Sequence, residues 1–335
     1  MRVFINGFGR IGRSVLRAWA LDIVGRVPRH WADVQIVGIN DIAAAEMCAY
    51  LFEFDSVFGP WGGSVALHEG ALVVNGTAIP LTQAPDLSAL DLSGVDLVME
   101  CTGRADTRAV AMRGIKGGAR RVLVSGPSAA AQYTVVLGAN EAGLDAALRT
   151  GAKVLSNASC TTNALAPLVR LLDQEFGIKT GWMTTIHCYT GSQPTTDAPS
   201  VDYARSRAAA LSMVPTTTSA QRLLDVVLPH LAGKIEGAAV RVPVASVSAV
   251  DLTVMLEKDC DVAAVNALFA GQKTVIGSTD RALVSSDLRA RPESIVMALP
   301  ETRKTAGGML RAFGWYDNEW GFSNRMLDVA RLLRD

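Results

Sequence analysis

The chain has 335 residues, with 32 Lys+Arg against 32 Asp+Glu and a formal net charge of +0. A balanced charge offers no field for nucleic acid or an anionic membrane surface, and no run approaches 18 uninterrupted apolar residues, so neither a nucleic-acid partner nor a membrane span is expected. The length predicts two domains, and five cysteines, an odd number without framework spacing, fit a reducing cytoplasm rather than a disulfide scaffold.

Residues 2–6 are a short β-branched run, and Gly7, Gly9 and Gly12 follow as G-x-G-x-x-G before a helical pattern over 13–24. The N-terminus thus reads as strand, turn and helix, the context a dinucleotide fingerprint needs, and not as a signal peptide. The glycines permit a tight turn and a close backbone approach to pyrophosphate at the helix start. A second strand, 34–39, ends in Asn40-Asp41. An acidic residue there binds the ribose hydroxyls of NAD and repels the 2′-phosphate of NADP; its plainer reading is a strand-ending turn residue. The spacing to Asp41 exceeds the usual ~20 residues, and the excess, 27–31, reads as an extended surface connection.

Residues 65–81 carry Gly70 and Asn75-Gly76 between short β runs, an antiparallel excursion at a sheet edge. Runs at 95–100, 119–124, 134–137 and 154–155 follow, the first ending in Cys101-Thr102-Gly103 and the second in Ser125-Gly126-Pro127-Ser128. Strands that end in small polar residues, with helices between, predict a parallel sheet with ligand at the strand carboxyl ends.

In residues 156–163 a cysteine, Cys160, lies among small hydroxyl residues, and a helical pattern runs from Ala164 to about residue 176 with Leu165, Leu168, Leu171 and Leu172 on one face. Cys160 is therefore expected at a helix N-terminus, where the dipole and backbone N–H groups favour a thiolate near neutral pH. Twenty-seven residues on, His187 ends the β-like run 181–186. A cysteine and a histidine so placed can form a nucleophile–base pair; taken singly, each is more often a buried core residue.

Beyond Cys160 the alternation stops. Strands are expected at 182–187, 238–242, 248–255 and 283–285 and helices at 219–231 and 262–268, giving a mixed or antiparallel sheet with helices on one face. The polar segment 189–214, with Pro194 and Pro199, is long and irregular and so functional or interfacial. Residues 324–333 read as an amphipathic helix. No C-x-x-C and no histidine pair at ligand spacing suggests a metal.

The run from Ile5 to Arg13, the run from Ser159 to Asn163, His187-Cys188-Tyr189-Thr190-Gly191, Arg241-Val242-Pro243 and the run from Trp315 to Gly321 together resemble the glyceraldehyde-3-phosphate dehydrogenase family, in order and across nearly the whole chain. Erythrose-4-phosphate dehydrogenase is a close relative with the same motifs. The resemblance implies an α/β fold: a Rossmann NAD-binding domain, 1–159, completed by a C-terminal helix, 318–335, and an α+β catalytic domain, 160–317. It implies Cys160 as nucleophile and His187 as base. Cofactor contacts would come from Gly7, Gly9, Arg10, Ile11, Gly12, Asp41, Ser125 and Asn318, the last toward the nicotinamide carboxamide. Arg10 is otherwise a plain surface charge, Asn318 a turn residue.

Thr190, Ser192 and Arg241 would hold the substrate's own phosphate, and Ser159, Thr161, Thr218 and Ser219, with Arg205, the attacking inorganic phosphate. A homotetramer is implied, with 189–214 reaching a neighbour's cofactor site. The chain departs from the family pattern. Gln83 stands for a basic residue, Phe322 for a tyrosine as in the erythrose relative, Ser219 for a glycine and Ala204 for an arginine, with Arg205 beside it. Asp41 favours the glyceraldehyde enzyme, since the erythrose relative usually carries glutamate there.

Overall fold

The computed structural model describes residues 1–23, 31–200 and 202–334. They form two units, the first of Met1–Val135, Glu141–Ala158 and Ser323–Asp335, the second of Val136–Asn140 and Ser159–Phe322. The sequence places the boundary after 159 and the C-terminal return at 318; in the structure they fall after Ala158 and at Ser323. The short excursion Val136–Asn140 joins the second unit because the Gly138 carbonyl accepts from Arg170 Nη1 at 3.1 Å. A Cβ on Gly138 would stand 2.6 Å from Val275 and 3.3 Å from Pro167.

The first unit holds strands β1 (Arg2–Asn6), β2 (Gln35–Asn40), β3 (Val65–His68), β4 (Ala71–Val74), β5 (Thr77–Thr82), β6 (Leu97–Glu100), β7 (Arg121–Val124), β8 (Tyr133–Thr134) and β9 (Val154–Ser156). Their order is β3-β4-β5-β2-β1-β6-β7-β9-β8. β1 pairs β2 on one side and β6 on the other, both parallel. The chain therefore reverses its winding direction at β1, the place where open α/β sheets bind ligands. The expected antiparallel excursion is present as β3, β4 and β5. Helix α1 (Arg10–Ile23) follows β1, and α2 (Ala45–Glu53), α3 (Arg108–Ala111), α4 (Arg113–Lys116) and α5 (Leu144–Arg149) complete the alternation. β6 is buried throughout, its fourth residue Glu100 included.

Two expectations change here. Of the supposed surface connection, 27–30 lie outside the described residues, while Trp31 is buried. Its backbone N–H donates to Asp22 Oδ2 at 3.0 Å and its indole to Asp328 Oδ1 at 2.9 Å. The strand expected at 134–137 shrinks to β8, because the chain leaves the sheet at Val135 for the second unit.

The second unit opens with α6 (Cys160–Phe176) and β10 (Ile178–Cys188), then β11 (Val214–Thr216), α7 (Ala220–Val227), β12 (Ile235–Val242), β13 (Ser248–Leu256), α8 (Val262–Ala270), β14 (Ile276–Thr279), β15 (Ile295–Ala298), β16 (Arg303–Lys304) and β17 (Met309–Tyr316). The sheet order is β11-β12-β10-β13-β17-β15-β14, with β16 on β17. It is mixed: β10 runs parallel to β12 and antiparallel to β13. α6 packs on β10, β13 and β15, and α7 on α6 and β12.

No strand forms at 283–285, where a short 3-10 helix, Ser285–Leu288, begins. The last helix, α9 (Trp320–Leu332), starts four residues early. Phe322, Ser323, Asn324, Met326, Leu327, Val329 and Ala330 are all buried, while Arg331 and Leu332 in its last turn are exposed. Among the described residues no helix is long and apolar enough to cross a membrane.

Candidate active site

Cys160 is the first residue of α6. The chain reaches it through Ala158, at φ +56, and Ser159, whose Oγ accepts from the Thr162 N–H at 3.0 Å as N-cap. Asn163 Nδ2 donates back to the Ser159 carbonyl at 3.1 Å. The small hydroxyl residues around the cysteine thus build the helix start.

Along β10, Met183, Thr185 and His187 are buried while Trp182 and Ile186 are exposed. The two-residue period of a strand turns His187 inward. Its Nε2 lies 3.6 Å from Cys160 Sγ. Tyr316, at the end of β17, pins the two elements together. Its buried hydroxyl lies 2.9 Å from Thr161 Oγ1 on α6 and 2.8 Å from Thr185 Oγ1 on β10, and its ring meets the imidazole edge-on at 6.1 Å. Thr161, expected at the attacking phosphate, has its hydroxyl in this link.

Arg241 sits opposite His187 in the β10–β12 register. Its Nη1 is 2.7 Å from His187 Nδ1 and donates to the Cys188 carbonyl at 3.0 Å. That same carbonyl lies 2.7 Å from His187 Nδ1. Burial, then the Arg241 charge, push the imidazole down to about 4. Burial pushes the Cys160 thiol above its ordinary value, against the hydroxyl of Thr161 and the charge of Arg241. At the helix start this desolvation opposes the expected thiolate.

Cys188 is buried, and its thiol donates to Asn318 Oδ1 at 3.1 Å. Ser248 Oγ donates to the same oxygen at 3.1 Å and accepts the Cys188 N–H at 3.1 Å. Asn318 thus has its amide oxygen fixed. Val247, before Ser248, is buried at φ +66, a strained conformation for a β-branched residue that only a well-determined surrounding holds. Thr190 and Ser192, just past β10, bring their hydroxyls within 2.9 Å of each other.

In the first unit the three glycines do three different jobs. A Cβ on Gly7, at φ +91, would stand 2.6 Å from the Thr102 backbone nitrogen, and one on Gly12 2.2 Å from the Gly7 carbonyl. One on Gly9 would meet nothing within 4 Å. The turn is tight, the helix packs close, and the space before Gly9 stays open. A groove lined by Asn6, Gly7, Gly9, Asp41, Ile42 and Arg104 lies there. Asp41 Oδ2 accepts from Phe8 N at 2.6 Å and Oδ1 from Ala43 N at 2.9 Å. A carboxylate offers about four acceptor positions, so a ribose diol can take the remainder. These residues fit NAD.

The Arg10 guanidinium pairs with Asp55 and lies over the Phe58 ring at 5.5 Å; Arg10 and Ile11 offer an anion the helix start. Ser125 follows β7, its backbone N–H donating to the Glu100 carbonyl at 2.9 Å. Glu100, buried, accepts from Asn6 Nδ2 at 2.5 Å and from the Thr102 hydroxyl.

Residues 1–108 match the NAD binding domain of glyceraldehyde 3-phosphate dehydrogenase and residues 159–318 its C-terminal domain. The chain is 44% identical to the glyceraldehyde-3-phosphate dehydrogenase of Cereibacter sphaeroides over 98% of its own length and 97% of the relative's. The chain belongs to the glyceraldehyde-3-phosphate dehydrogenase family. Relatives of the same name from Xanthobacter flavus and Pseudomonas aeruginosa are each 43% identical, covering 98% and 99% of this chain and 97% and 98% of theirs.

Against that family's pattern the departures now have surroundings. Gln83 donates to the Ala43 carbonyl at 2.8 Å. Ala204 opens a single 3-10 turn, Ala204–Ser206, and Arg205 Nε donates to Thr216 Oγ1 at 2.7 Å. Thr218 Oγ1 accepts from Ala220 N at 3.1 Å, and Ser219 is the α7 N-cap with no side-chain bond of its own. Tyr316, Ser248 and Glu100 are the site residues that sequence reasoning did not single out. Tyr316 lies inside a quoted motif; the other two carry no local signal.

Proposed function

We propose that the protein catalyses NAD-dependent, phosphorylating oxidation of glyceraldehyde 3-phosphate to 1,3-bisphosphoglycerate, a step of glycolysis that runs backward in gluconeogenesis. The observation that carries this reading is Cys160 Sγ at 3.6 Å from His187 Nε2 at a helix start, in a chain of this family.

An aldehyde carbon is a poor hydride donor until a nucleophile has added to it. Cys160 sulfur bonds to that carbon while its proton passes through His187 to the carbonyl oxygen, giving a thiohemiacetal. His187 then takes the hydroxyl proton as the carbon is oxidised to a thioester. NAD, when bound, supplies the hydride acceptor. Inorganic phosphate attacks the thioester carbon, the C–S bond breaks, and the sulfur recovers its proton from the imidazole. The Cys160 N–H and the imidazole stabilise the oxyanion at each addition.

Asp41 would hold the ribose diol of the adenosine half, the glycine turn after β1 and the start of α1 the pyrophosphate, Ser125 the nicotinamide ribose and Asn318 the carboxamide. Thr190, Ser192 and Arg241 hold the substrate's phosphate. Ser159, Thr161, Thr218, Ser219 and Arg205 serve the attacking phosphate. The first unit is the NAD-binding domain and the second the catalytic domain.

The protein works as a homotetramer in the cytoplasm. One face of the second sheet carries exposed Trp182, Ile186 and Met309, which the strand register places on the same side. Tyr203, Leu211 and Met213 are exposed in the segment after β10. Apolar groups so grouped mark contact surfaces. The test is mass measurement of the protein after glyceraldehyde 3-phosphate and NAD are mixed without phosphate. An acyl adduct on Cys160 that phosphate releases is expected; no adduct, or one on another residue, refutes the reading.

A further inference from the structure

The amide oxygen of Asn318 accepts two hydrogen bonds from side chains. Cys188 Sγ and Ser248 Oγ each lie 3.1 Å from Asn318 Oδ1. The Ser248 oxygen accepts the Cys188 N–H at 3.1 Å, which leaves its own proton for the amide. An amide oxygen has two lone pairs, and here both are taken. What Asn318 has left is its NH2 group, which can only donate. Among the described residues no group accepts from Asn318 Nδ2. A thiol donates only while it keeps its proton, and burial pushes Cys188 up to about 12, so it remains a donor at neutral pH.

The backbone around this triad is fixed at each of its three corners. Cys188 is the last residue of β10. Ser248 is the first residue of β13 and follows the buried Val247 at φ +66. Strain of that kind in a β-branched residue gathers where a side chain has to be aimed. Asn318 stands on a turn held by its buried neighbour Asp317. Asp317 Oδ1 accepts from the N–H groups of Glu319 and Trp320 at 3.1 and 2.9 Å, and Oδ2 from that of Ala290 at 2.8 Å.

We propose that Cys188 and Ser248 are positioning residues that lock Asn318 with its NH2 group outward, so that Asn318 donates to the carboxamide oxygen of the nicotinamide and selects one face of the ring. The inference rests on reading Asn318 as a contact of that carboxamide. The opposite polarity, with Asn318 accepting from the carboxamide NH2, is closed by the two donors on its oxygen. Oxygen and nitrogen of an asparagine amide exchange places with almost no change of shape. Only the partners decide between them. Without Cys188 and Ser248 as donors the amide can turn over, the carboxamide meets either end of it, and the ring can present its other face. Cys188 directly follows His187 in β10. The group that takes the proton and the group that sets the hydride acceptor are therefore placed by one strand end.

The test uses the full-length protein and two ligands, NADH and ADP-ribose, each titrated by calorimetry. ADP-ribose lacks the nicotinamide, so the ratio of the two dissociation constants isolates that end of the cofactor, and binding of ADP-ribose reports that each variant is folded. Cys188→Ala and Ser248→Ala should each weaken NADH by roughly three- to tenfold, the scale of one neutral hydrogen bond, and leave ADP-ribose unchanged. Cys188→Ser restores a donor and should return NADH binding to the unmutated value. Asn318→Asp keeps the size and the acceptor but removes the donor, and should weaken NADH by roughly tenfold.

A second readout is the stereochemistry of hydride transfer. Glyceraldehyde 3-phosphate deuterated at C1 is oxidised, and NMR reads on which face of C4 the deuterium sits in the NADH. The unmutated protein should give one diastereomer, and the double variant Cys188→Ala/Ser248→Ala a mixture, which a merely structural defect does not produce. A single diastereomer from the double variant, or single variants that bind NADH normally while Asn318→Ala does not, refutes the lock and leaves the carboxamide contact standing. Unweakened NADH binding by Asn318→Asp refutes the donor polarity. If Asn318→Ala leaves the ratio of NADH to ADP-ribose unchanged, the reading of Asn318 as a carboxamide contact fails with it.

Discussion

Cys160 Sγ and His187 Nε2 lie 3.6 Å apart, one at the first residue of a helix and the other on the last turn inward of an eleven-residue strand. Four other cysteines are present, and burial raises Cys48 to about 11 and Cys101 and Cys188 to about 12. Cys160 alone joins partial exposure to a histidine partner. Iodoacetamide should alkylate one thiol first, and peptide mapping should place it at Cys160. Cys160→Ser should lower kcat by roughly a thousandfold or more while NAD binding, followed by fluorescence titration, stays near normal. Activity within tenfold of the unmutated protein would remove Cys160 from the mechanism.

Cofactor choice follows from Asp41, whose carboxylate is held by Phe8 N and Ala43 N and so cannot swing away from a 2′-phosphate. NAD should be strongly preferred over NADP. Asp41→Ala should weaken NAD by roughly ten- to a hundredfold, the scale of one or two charged hydrogen bonds, and NADP much less. Comparison of kcat/KM with each cofactor decides it; equal values in the unmutated protein contradict the assignment.

The Tyr316 hydroxyl bridges Thr161 and Thr185. Tyr316→Phe leaves the ring in place and strands two threonine hydroxyls in the core. Each buried orphan costs about 1–3 kcal/mol. Denaturant unfolding should show a loss of about that size, and kcat should fall because α6 and β10 are no longer tied. Unchanged stability would mean that the two threonines find other partners.

The fold was legible where local patterns repeat. The three glycines, the Asn75-Gly76 hairpin and the run of strands ending in small polar residues carry their structure in a few adjacent positions. Strands β14, β15 and β17 were not read, because each is specified by partners far away in the chain: Val296 sits against Trp315 and Tyr316 against Ser248. The same reason hid parts of the site. Cys160 and His187 announce themselves by type and spacing. The links that orient them, Tyr316 between two threonines and Arg241 on the imidazole, exist only once the sheet is assembled. A helix N-terminus can be recognised in sequence, while the desolvation that opposes a thiolate at that spot cannot.

Stability should register the buried histidine. The imidazole's ordinary value of 6.5 falls to about 4 in the folded protein. Between those values the unfolded chain binds the proton and the folded chain does not, so stability falls as pH drops from 6.5 toward 4 and is unaffected above that window. At about 1.4 kcal/mol per unit the contribution is on the order of 3 kcal/mol. His187→Asn should flatten the melting-temperature profile between pH 6.5 and 4 relative to the unmutated protein. Parallel profiles would show that His187 titrates normally.

The pocket proposed for the attacking phosphate has an alanine at 204 and a serine at 219. Arg205 lies on the same short turn, its Nε held by Thr216, and supplies the nearby charge. Arg205→Ala should raise the apparent KM for phosphate and Ala204→Arg should lower it, each by roughly tenfold, with little change in the KM for NAD. Identical phosphate curves for the unmutated and both variant proteins would place the acceptor elsewhere.

The most direct test of the whole account is the rate of NADH formation from glyceraldehyde 3-phosphate as inorganic phosphate is titrated from zero, with the product identified and erythrose 4-phosphate run in parallel. The account predicts a saturable dependence on phosphate, an acyl phosphate as product, and higher kcat/KM for the triose. A rate that does not depend on phosphate, with free acid as product and the tetrose preferred, would contradict it and identify the hydrolytic oxidation of erythrose 4-phosphate as the reaction.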